Sequence, residues 1–344
     1  MGPPCLSQWL CRGGAPVSIP IRWRVTVLTP TLVGDGKRLA PIDYMVWKDQ
    51  VNVLDQGLIF RRLAGTPRMD GYLAELSRAK RLDFKNWGGY AQSYAVRRIP
   101  LEDPGLVSQW EAAKDEEIFI PTFHAGPLGK ILPATAIKGA LKTALLGARV
   151  SVDQIASARH QGARRLLPGL RLGDGSPTGE GQYKVYYSRV AAPVKSGGSD
   201  LRWKAAPTFV ECAAPGTVFS GRGTLEEDWT DDLAAASGHS RQTLDRQRHF
   251  ATTHRMAKLA QTLDAVAAND GCLLSIGWGG GFVSKSIATG PRLAAAKPLL
   301  ETVPGYRQAL ATAFVFPKSQ RIVNLTGEPG SVPGWVRLDY ERLG

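Results

Sequence analysis

The stretch Ile131-Leu132-Pro133-Ala134-Thr135-Ala136-Ile137-Lys138-Gly139-Ala140-Leu141-Lys142 constrains this chain more than any other. It reads as an extended segment that turns into a helix with lysines near its start. A helix start leaves several backbone N–H groups without intrahelical partners, and the macrodipole adds partial positive charge there. Such a start is a natural seat for a phosphate. Lys138 and Lys142 are four residues apart and share one side of the helix. Ile137, Leu141, Ala144 and Leu145 form the neighbouring apolar stripe that would fasten the helix to a core. An ordinary amphipathic helix with solvated lysines has the same spacing, so the motif alone does not decide between the two.

Charge points the same way. Lys and Arg number 43 against 30 Asp and Glu, a formal net charge of +13 in 344 residues. That excess favours a polyanionic partner, because each cation that meets a phosphate releases condensed counterions. It does not separate RNA from DNA or from an acidic membrane surface. No apolar run reaches the length of a membrane span, so no membrane partner is expected. Met1–Pro16 lacks the apolar segment of a signal peptide and reads as part of a flexible extension over 1–17. Cys5, Cys11, Cys212 and Cys272 form neither zinc spacing nor a disulfide framework, which fits a reducing cytoplasm.

Along the chain, Ile21, Trp23, Val25 and Val27 alternate with Arg22, Arg24 and Thr26, the pattern of a half-buried strand with a basic outer face. Gly34-Asp35-Gly36-Lys37-Arg38 follows as a tight basic turn. Short strands are expected near Tyr44–Trp47 and Val51–Leu54, and Asp55 is placed to cap a helix through Leu63. Further helices are read over about Gly71–Leu82, Leu106–Lys114 and Val152–Leu167, with a strand at Ile118–Thr122 and a Gly-rich loop at Gly173–Gly181. Strands near Tyr183–Val190, Thr208–Ala213 and Thr217–Leu225 precede a cationic helical stretch, Asp231–Ala268, carrying Arg241, Arg246, Arg248, Arg255 and Lys258. Cys272–Ile276 is a short apolar strand ending in Gly277-Trp278-Gly279-Gly280-Gly281-Phe282. A helix near Ala296–Ala313 and strands near Ala313–Phe316 and Trp335–Tyr340 close the chain. Strands interrupted by helices without regular βαβ spacing predict an α+β fold with an antiparallel sheet and helical insertions.

Catalytic motifs are missing. Neither Gly36-Lys37 nor Gly129-Lys130 lies in a Walker A loop, and Gly277–Gly281 lacks the spacing of a dinucleotide fingerprint. His124, His160, His239, His249 and His254 form no i,i+4 ligand pair, and no nucleophile elbow is present, so no metal or cofactor is expected. The glycines have another use, since a Gly-rich turn lets backbone N–H groups approach a phosphate without Cβ interference. Two such turns, Gly34–Gly36 and Gly277–Gly281, each follow a strand. Trp87, Tyr90 and Trp278 stand beside glycines and basic residues, where an aromatic face can stack an unpaired base; filling gaps in the core is the commoner fate of such rings.

Together these segments resemble the RAMP superfamily of CRISPR effector proteins, and among them the fifth Csm subunit of type III-A complexes. Val27–Gly36 resembles that subunit's opening strand and Gly turn, and Lys85-Asn86-Trp87-Gly88-Gly89-Tyr90 its Gly-Gly-Tyr element. Leu132–Lys142 is similar to the RAMP signature Pro-Gly-Ser-Ser-hydrophobic-Lys-Gly-x-hydrophobic-Arg. Phe209–Thr217, Ile276–Ser286 and Gly334-Trp335-Val336 follow in the expected order. Ala134 stands where the signature has Gly, Thr135 and Ala136 where it has Ser, and Lys142 where it has Arg. Thr135 is still able to cap the helix. Lys142 keeps the charge but loses bidentate geometry.

The resemblance implies an RRM-like (ferredoxin-like) core over 18–290, with helical insertions at about 61–114 and 228–268 and a C-terminal helix and strands over 291–344 packing on it. It also implies a non-catalytic subunit of a cytoplasmic, prokaryotic ribonucleoprotein that caps the 3′ end of the guide RNA. Its partners would be that RNA, the neighbouring RAMP backbone subunit, and in some arrangements the small helical subunit and target RNA. The RNA-binding set on this reading is Gly34, Gly36, Lys37, Arg38, Trp87, Tyr90, Lys130, Thr135, Lys138, Lys142, Gly277, Trp278, Gly279 and Lys285. Two alternatives stand beside it: a metal-dependent target-RNA endonuclease using Asp43, and an assembly scaffold with incidental RNA contacts.

Overall fold

The computed structural model describes residues 18–77, 93–114, 118–151, 167, 169–179, 181–194, 199–204, 207–226, 229–287, 291–302, 304, 307 and 319–343. The expected extension over 1–17, the helix Val152–Leu167 apart from its last residue, and the strand Ala313–Phe316 lie outside them.

The alternating strand Ile19–Val27 lies in the middle of its sheet. Ile21, Trp23, Val25 and Val27 are buried on one face, while Pro20, Arg22 and Arg24 are exposed on the other. It is paired on both sides in an antiparallel sheet of order Ser176–Pro177, Val218–Leu225, Ile19–Val27, Trp335–Arg342, Cys272–Ser275, with Arg171–Leu172 also pairing Val218–Leu225. Helix Ala134–Arg149 covers the buried face, where Ile137, Leu141, Ala144 and Leu145 join Ile21, Trp23, Val25 and Val27 in one apolar core. Helix Thr230–Thr253 runs beside it and seals the sheet's outer edge. There Leu273 N donates to Ser237 Oγ (3.2 Å), which donates to Gly271 O (3.0 Å), so an otherwise open edge strand is satisfied.

A second antiparallel sheet follows the order Leu201–Trp203, Tyr183–Pro193, Gln320–Leu325, Glu328–Ser331, with Thr208–Ala213 also pairing Tyr183–Pro193. The bridge Thr31↔Ala213 ties it to the end of the first strand. Tyr186, Val210, Cys212 and Val323 share the core with Trp23. Helix Ala257–Ala267 fills the space on the far side, where Leu259, Leu263 and Val266 meet Leu273, Ile322 and Trp335. A small meander, Tyr44–Trp47, Gln50–Leu54 and Ala95–Pro100, packs Val51 and Ile99 against Trp110, Val185 and Phe209. Its other side holds Met45 and Leu54 against Ile59, Leu63 and Tyr72 of helices Gln56–Leu63 and Arg68–Ser77. Asp55 caps the first of these as predicted, accepting Leu58 N at 2.8 Å.

The fold is thus α+β with antiparallel, curled sheets. Several boundaries move. The helix predicted over Gly71–Leu82 starts earlier, as Arg68–Ser77, with 78–82 outside the described residues, and the strand predicted over Ile118–Thr122 shrinks to Ile120–Pro121. The stretch Asp231–Ala268 is two helices, broken where Arg255 takes φ +54. The helix read from about Ala296 starts earlier, as Pro291–Glu301. No helix among the described residues is long and apolar enough to cross a membrane.

Candidate nucleic-acid interface

The site grows from the loop that follows the first strand. Its path is held by backbone groups of three distant elements. Leu28 N and Thr29 N donate to Trp335 O (2.9 and 3.1 Å), Trp278 N donates to Leu32 O (2.7 Å), and His124 N donates to Val33 O (2.8 Å). The Gly34 turn and the Gly277–Gly281 turn therefore meet side by side. Gly277 has φ +69, and a Cβ there would stand 2.0 Å from Leu32 O, so only glycine permits the contact.

Beyond Gly34 the loop forms one wall of a cavity of about 540 Å³, lined by Asp35, Lys37, Arg38, Arg97, Thr122, Phe123 and Lys130 among others. That volume lies within the range of small-ligand sites, roughly 300–1,000 Å³. Behind it, fully buried Glu211 accepts from Arg97 Nη1 (2.5 Å), Lys130 Nζ (3.0 Å) and Phe123 N (3.2 Å). Lys130 Nζ also donates to Phe123 O at 2.8 Å. Burial draws the Lys130 ammonium below its ordinary pKa, and the Glu211 carboxylate opposes that shift. At the rim, Asp35 accepts Lys37 N (3.0 Å) and meets Lys37 Nζ (3.2 Å) and His124 Nδ1 (3.5 Å). Desolvation pushes the Asp35 carboxyl up, but the Lys37 hydrogen bonds outweigh it and hold the pKa below its ordinary value. The Arg38 guanidinium lies 4.2 Å over the Phe119 ring. Four cations against the two carboxylates leave the cluster positive, with Lys37 and Arg38 exposed at its mouth. An anion entering there meets charge already oriented, which reduces the ordering cost of binding.

Of the predicted residues, Lys37, Arg38 and Lys130 share this cavity, and Gly34, Gly36, Gly277, Trp278 and Gly279 lie on the two joined turns. Trp278 is half-buried with the Arg321 guanidinium 4.5 Å from its ring, so one face is already occupied. Lys138 and Lys142 lie half-buried on the flank of helix Ala134–Arg149. Ala140 and Thr143 of that helix and Ser284 of the short helix Gly281–Lys285 line one small cleft, and Lys285 is exposed. Trp87 and Tyr90 lie outside the described residues.

One expectation needs correcting. Thr135 does not cap the helix: Pro133 is the N-cap residue, without a side-chain bond, and Thr135 is exposed. Asp174, forty residues on, accepts Ala134 N at 2.8 Å. A carboxylate thus already takes the first free amide, which weakens that helix start as a phosphate seat. In the cationic helical stretch, Arg241 donates to Ala267 O and Asn269 O and Lys258 to Leu325 O, while Arg248 pairs at the surface with Asp245 and Asp264. Asp43 spends its carboxylate on a turn, accepting Ala40 N at 2.7 Å. Among the described residues no three His, Cys, Asp or Glu side chains group as a metal site.

Sequence reasoning missed Arg97 and Glu211. A glutamate inside the apolar run Phe209-Val210-Glu211-Cys212 was the available signal, because a buried carboxylate needs cationic partners.

No protein-family profile matches the chain. No curated protein is significantly similar to it in sequence. Solved structures resemble it in fold. A chain of the cryo-EM structure of a Csm–crRNA–target RNA ternary complex of a type III-A CRISPR-Cas system superposes with TM-score 0.63 at 16% identity, covering 93% of this chain and 100% of that one. The crystal structure of T. onnurineus Csm5 superposes with TM-score 0.57 at 15% identity, covering 91% of this chain and 99% of that one. At such identities the likeness is one of fold, and it spans both chains almost end to end.

Proposed function

We propose that this chain is a RAMP protein of the Csm5 type, a guide-RNA-binding subunit of a type III CRISPR effector complex that caps the 3′ end of the RNA without cutting it. The observation that carries the reading is the cavity where Lys37, Arg38, Arg97 and Lys130 converge beside two interlocked Gly turns, in a chain with the fold of a Csm5 structure. The antiparallel first sheet, with helices Ala134–Arg149 and Thr230–Thr253 against it, supports an RRM-like description of its core. Lys37 and Arg38 at the mouth meet phosphates, while Arg97 and Lys130, fixed by Glu211, set the depth to which one enters. Contacts of this kind position a strand without reading its bases.

The test is guide-RNA affinity across salt for the full chain and for Lys37→Glu/Arg38→Glu. Each lost phosphate contact should flatten the log–log salt dependence by about 0.7. The reading predicts a weaker complex and a slope shallower by about 1.4 for two contacts; unchanged affinity and slope would overturn it. In the assembled complex, Asp43→Ala is expected to leave target-RNA cleavage intact, and a loss of cutting would restore the nuclease alternative.

A further inference from the structure

The outer face of the central sheet is a second charged surface, sharing no residue with the lining of the cavity. Strand register places Arg22 directly opposite Arg222, and Arg24 opposite Ser220. Arg171 stands opposite Thr224 on the same face, at its margin. Like charges directly opposite each other on adjacent strands destabilise a sheet, so the Arg22/Arg222 pair is a local cost to folding. Acidic residues offset only part of it. Arg22 Nη1 meets Glu341 Oε1, directly across the strands, at 2.9 Å, while Asp339, directly opposite Arg24, pairs instead with Arg337 two residues before it on its own strand. Arg24 and Arg222 are exposed and have no ion-pair partner among the described residues. The Arg171 side chain is 82% exposed, 3.9 Å from Glu226.

We infer that this face is a binding surface for the sugar-phosphate backbone of single-stranded RNA, separate from the cavity. Three observations choose that occupant. The unpaired charge is arginine, whose planar fork suits phosphate oxygens. Arg22 and Arg24, two residues apart on one strand, are about 7 Å from each other, and Arg24 to Arg222 is a diagonal of about 7–8 Å, a spacing suited to successive phosphates along a strand. The exposed part of the face carries no aromatic ring among the described residues. Bases therefore have no stacking platform, and recognition runs through phosphate alone. The surface lies along the first strand, whose far end enters the Gly34 loop, so one RNA is able to reach both only by running the length of that strand.

The experiment measures binding of short and long oligouridylates to the full chain and to Arg24→Glu/Arg222→Glu, Arg24→Gln/Arg222→Gln and Arg24→Lys/Arg222→Lys. Thermal melts first establish that each variant is folded. The expected result is at least a fivefold loss for the Glu pair, a smaller loss for the Gln pair, the smallest but still measurable loss for the Lys pair, which keeps the charge without the fork, and a salt slope shallower by about 1.4 in the Glu pair for two contacts. These losses should add to those of Lys37→Glu/Arg38→Glu, which identifies two surfaces. Unchanged affinity and slope would overturn the proposal, as would non-additive losses, or polyglutamate competing as well as RNA does. Failure at the cavity with additive loss here, or the reverse, tells this inference apart from the proposed function.

Discussion

The cavity at Lys37–Lys130 and the outer face at Arg22–Arg222 are both rich in cations, yet they are built on opposite principles. In the cavity, Arg97 and Lys130 are fastened to a carboxylate that water does not reach. On the face, Arg24 and Arg222 form no ion pair among the described residues, Asp339 opposite Arg24 being held by Arg337. The cavity thus owes its shape to its own charges, whereas the face acquires order only from what binds it. The most direct challenge to this contrast is Glu211→Ala. Removing one partner of a buried ion pair typically costs about 3–5 kcal/mol. Because the Arg97 side chain is 33% exposed, solvent recovers part of that, and the lower end is expected in urea unfolding. Arg24→Gln/Arg222→Gln should change stability by no more than about 0.5 kcal/mol, in either direction. Equal costs at the two places would erase the distinction.

A second test concerns the backbone behind the cavity. Gly277→Ala places a methyl against Leu32 O at a positive φ, and should cost roughly 1–3 kcal/mol while displacing the loop and weakening RNA binding. Gly36 has φ +87, and a Cβ added there would meet nothing within 4 Å. Gly36→Ala therefore carries only the dihedral penalty, on the order of 1 kcal/mol. Thermal melts of the pair separate a glycine required by contact from one required by conformation alone.

What the sequence showed depended on how far apart the interacting residues lie. The alternation Ile21-Arg22-Trp23-Arg24-Val25 announced a strand buried on one side, and Asp55 announced the cap three residues from its amide, because both signals are local. The stripe Ile137, Leu141, Ala144 and Leu145 located the helix for the same reason. Lys37 and Lys130 were visible as cations, but not the cavity, since Glu211 is 81 residues from Lys130 and 114 from Arg97. Thr135 looked like a cap because it is near; Asp174 is the cap because the chain returns. The hairpin Gln320–Leu325/Glu328–Ser331 escaped notice although Thr326-Gly327, both at positive φ, is its turn signal.

Asp174→Ala extends the contrast to the helix side. It should cost about 0.5–2 kcal/mol, the usual range for a lost N-cap acceptor. It also frees the Ala134 amide, so binding of inorganic phosphate by the variant, measured by calorimetry, should not fall. If it falls, Asp174 helps to hold the anion site rather than competing with it.

A weaker consequence is a dependence on acid confined to the cavity side. Asp35 has its folded pKa below the unfolded value of 3.8, because Lys37 holds the charged form. An unfolded chain therefore takes up the proton first as pH falls. The stability Asp35 contributes is fully present above about pH 4–5 and is lost as pH drops through the lower, folded value. Asp35→Asn should melt below the wild type at neutral pH, and the gap should close below pH 3.8. Arg24→Gln/Arg222→Gln removes no carboxylate and should track the wild type in parallel. A gap that persists unchanged in acid would mean that Asp35 acts through the shape of the Gly34–Gly36 turn rather than through its charge, and the rim of the cavity would then belong with the backbone and not with the ion pairs.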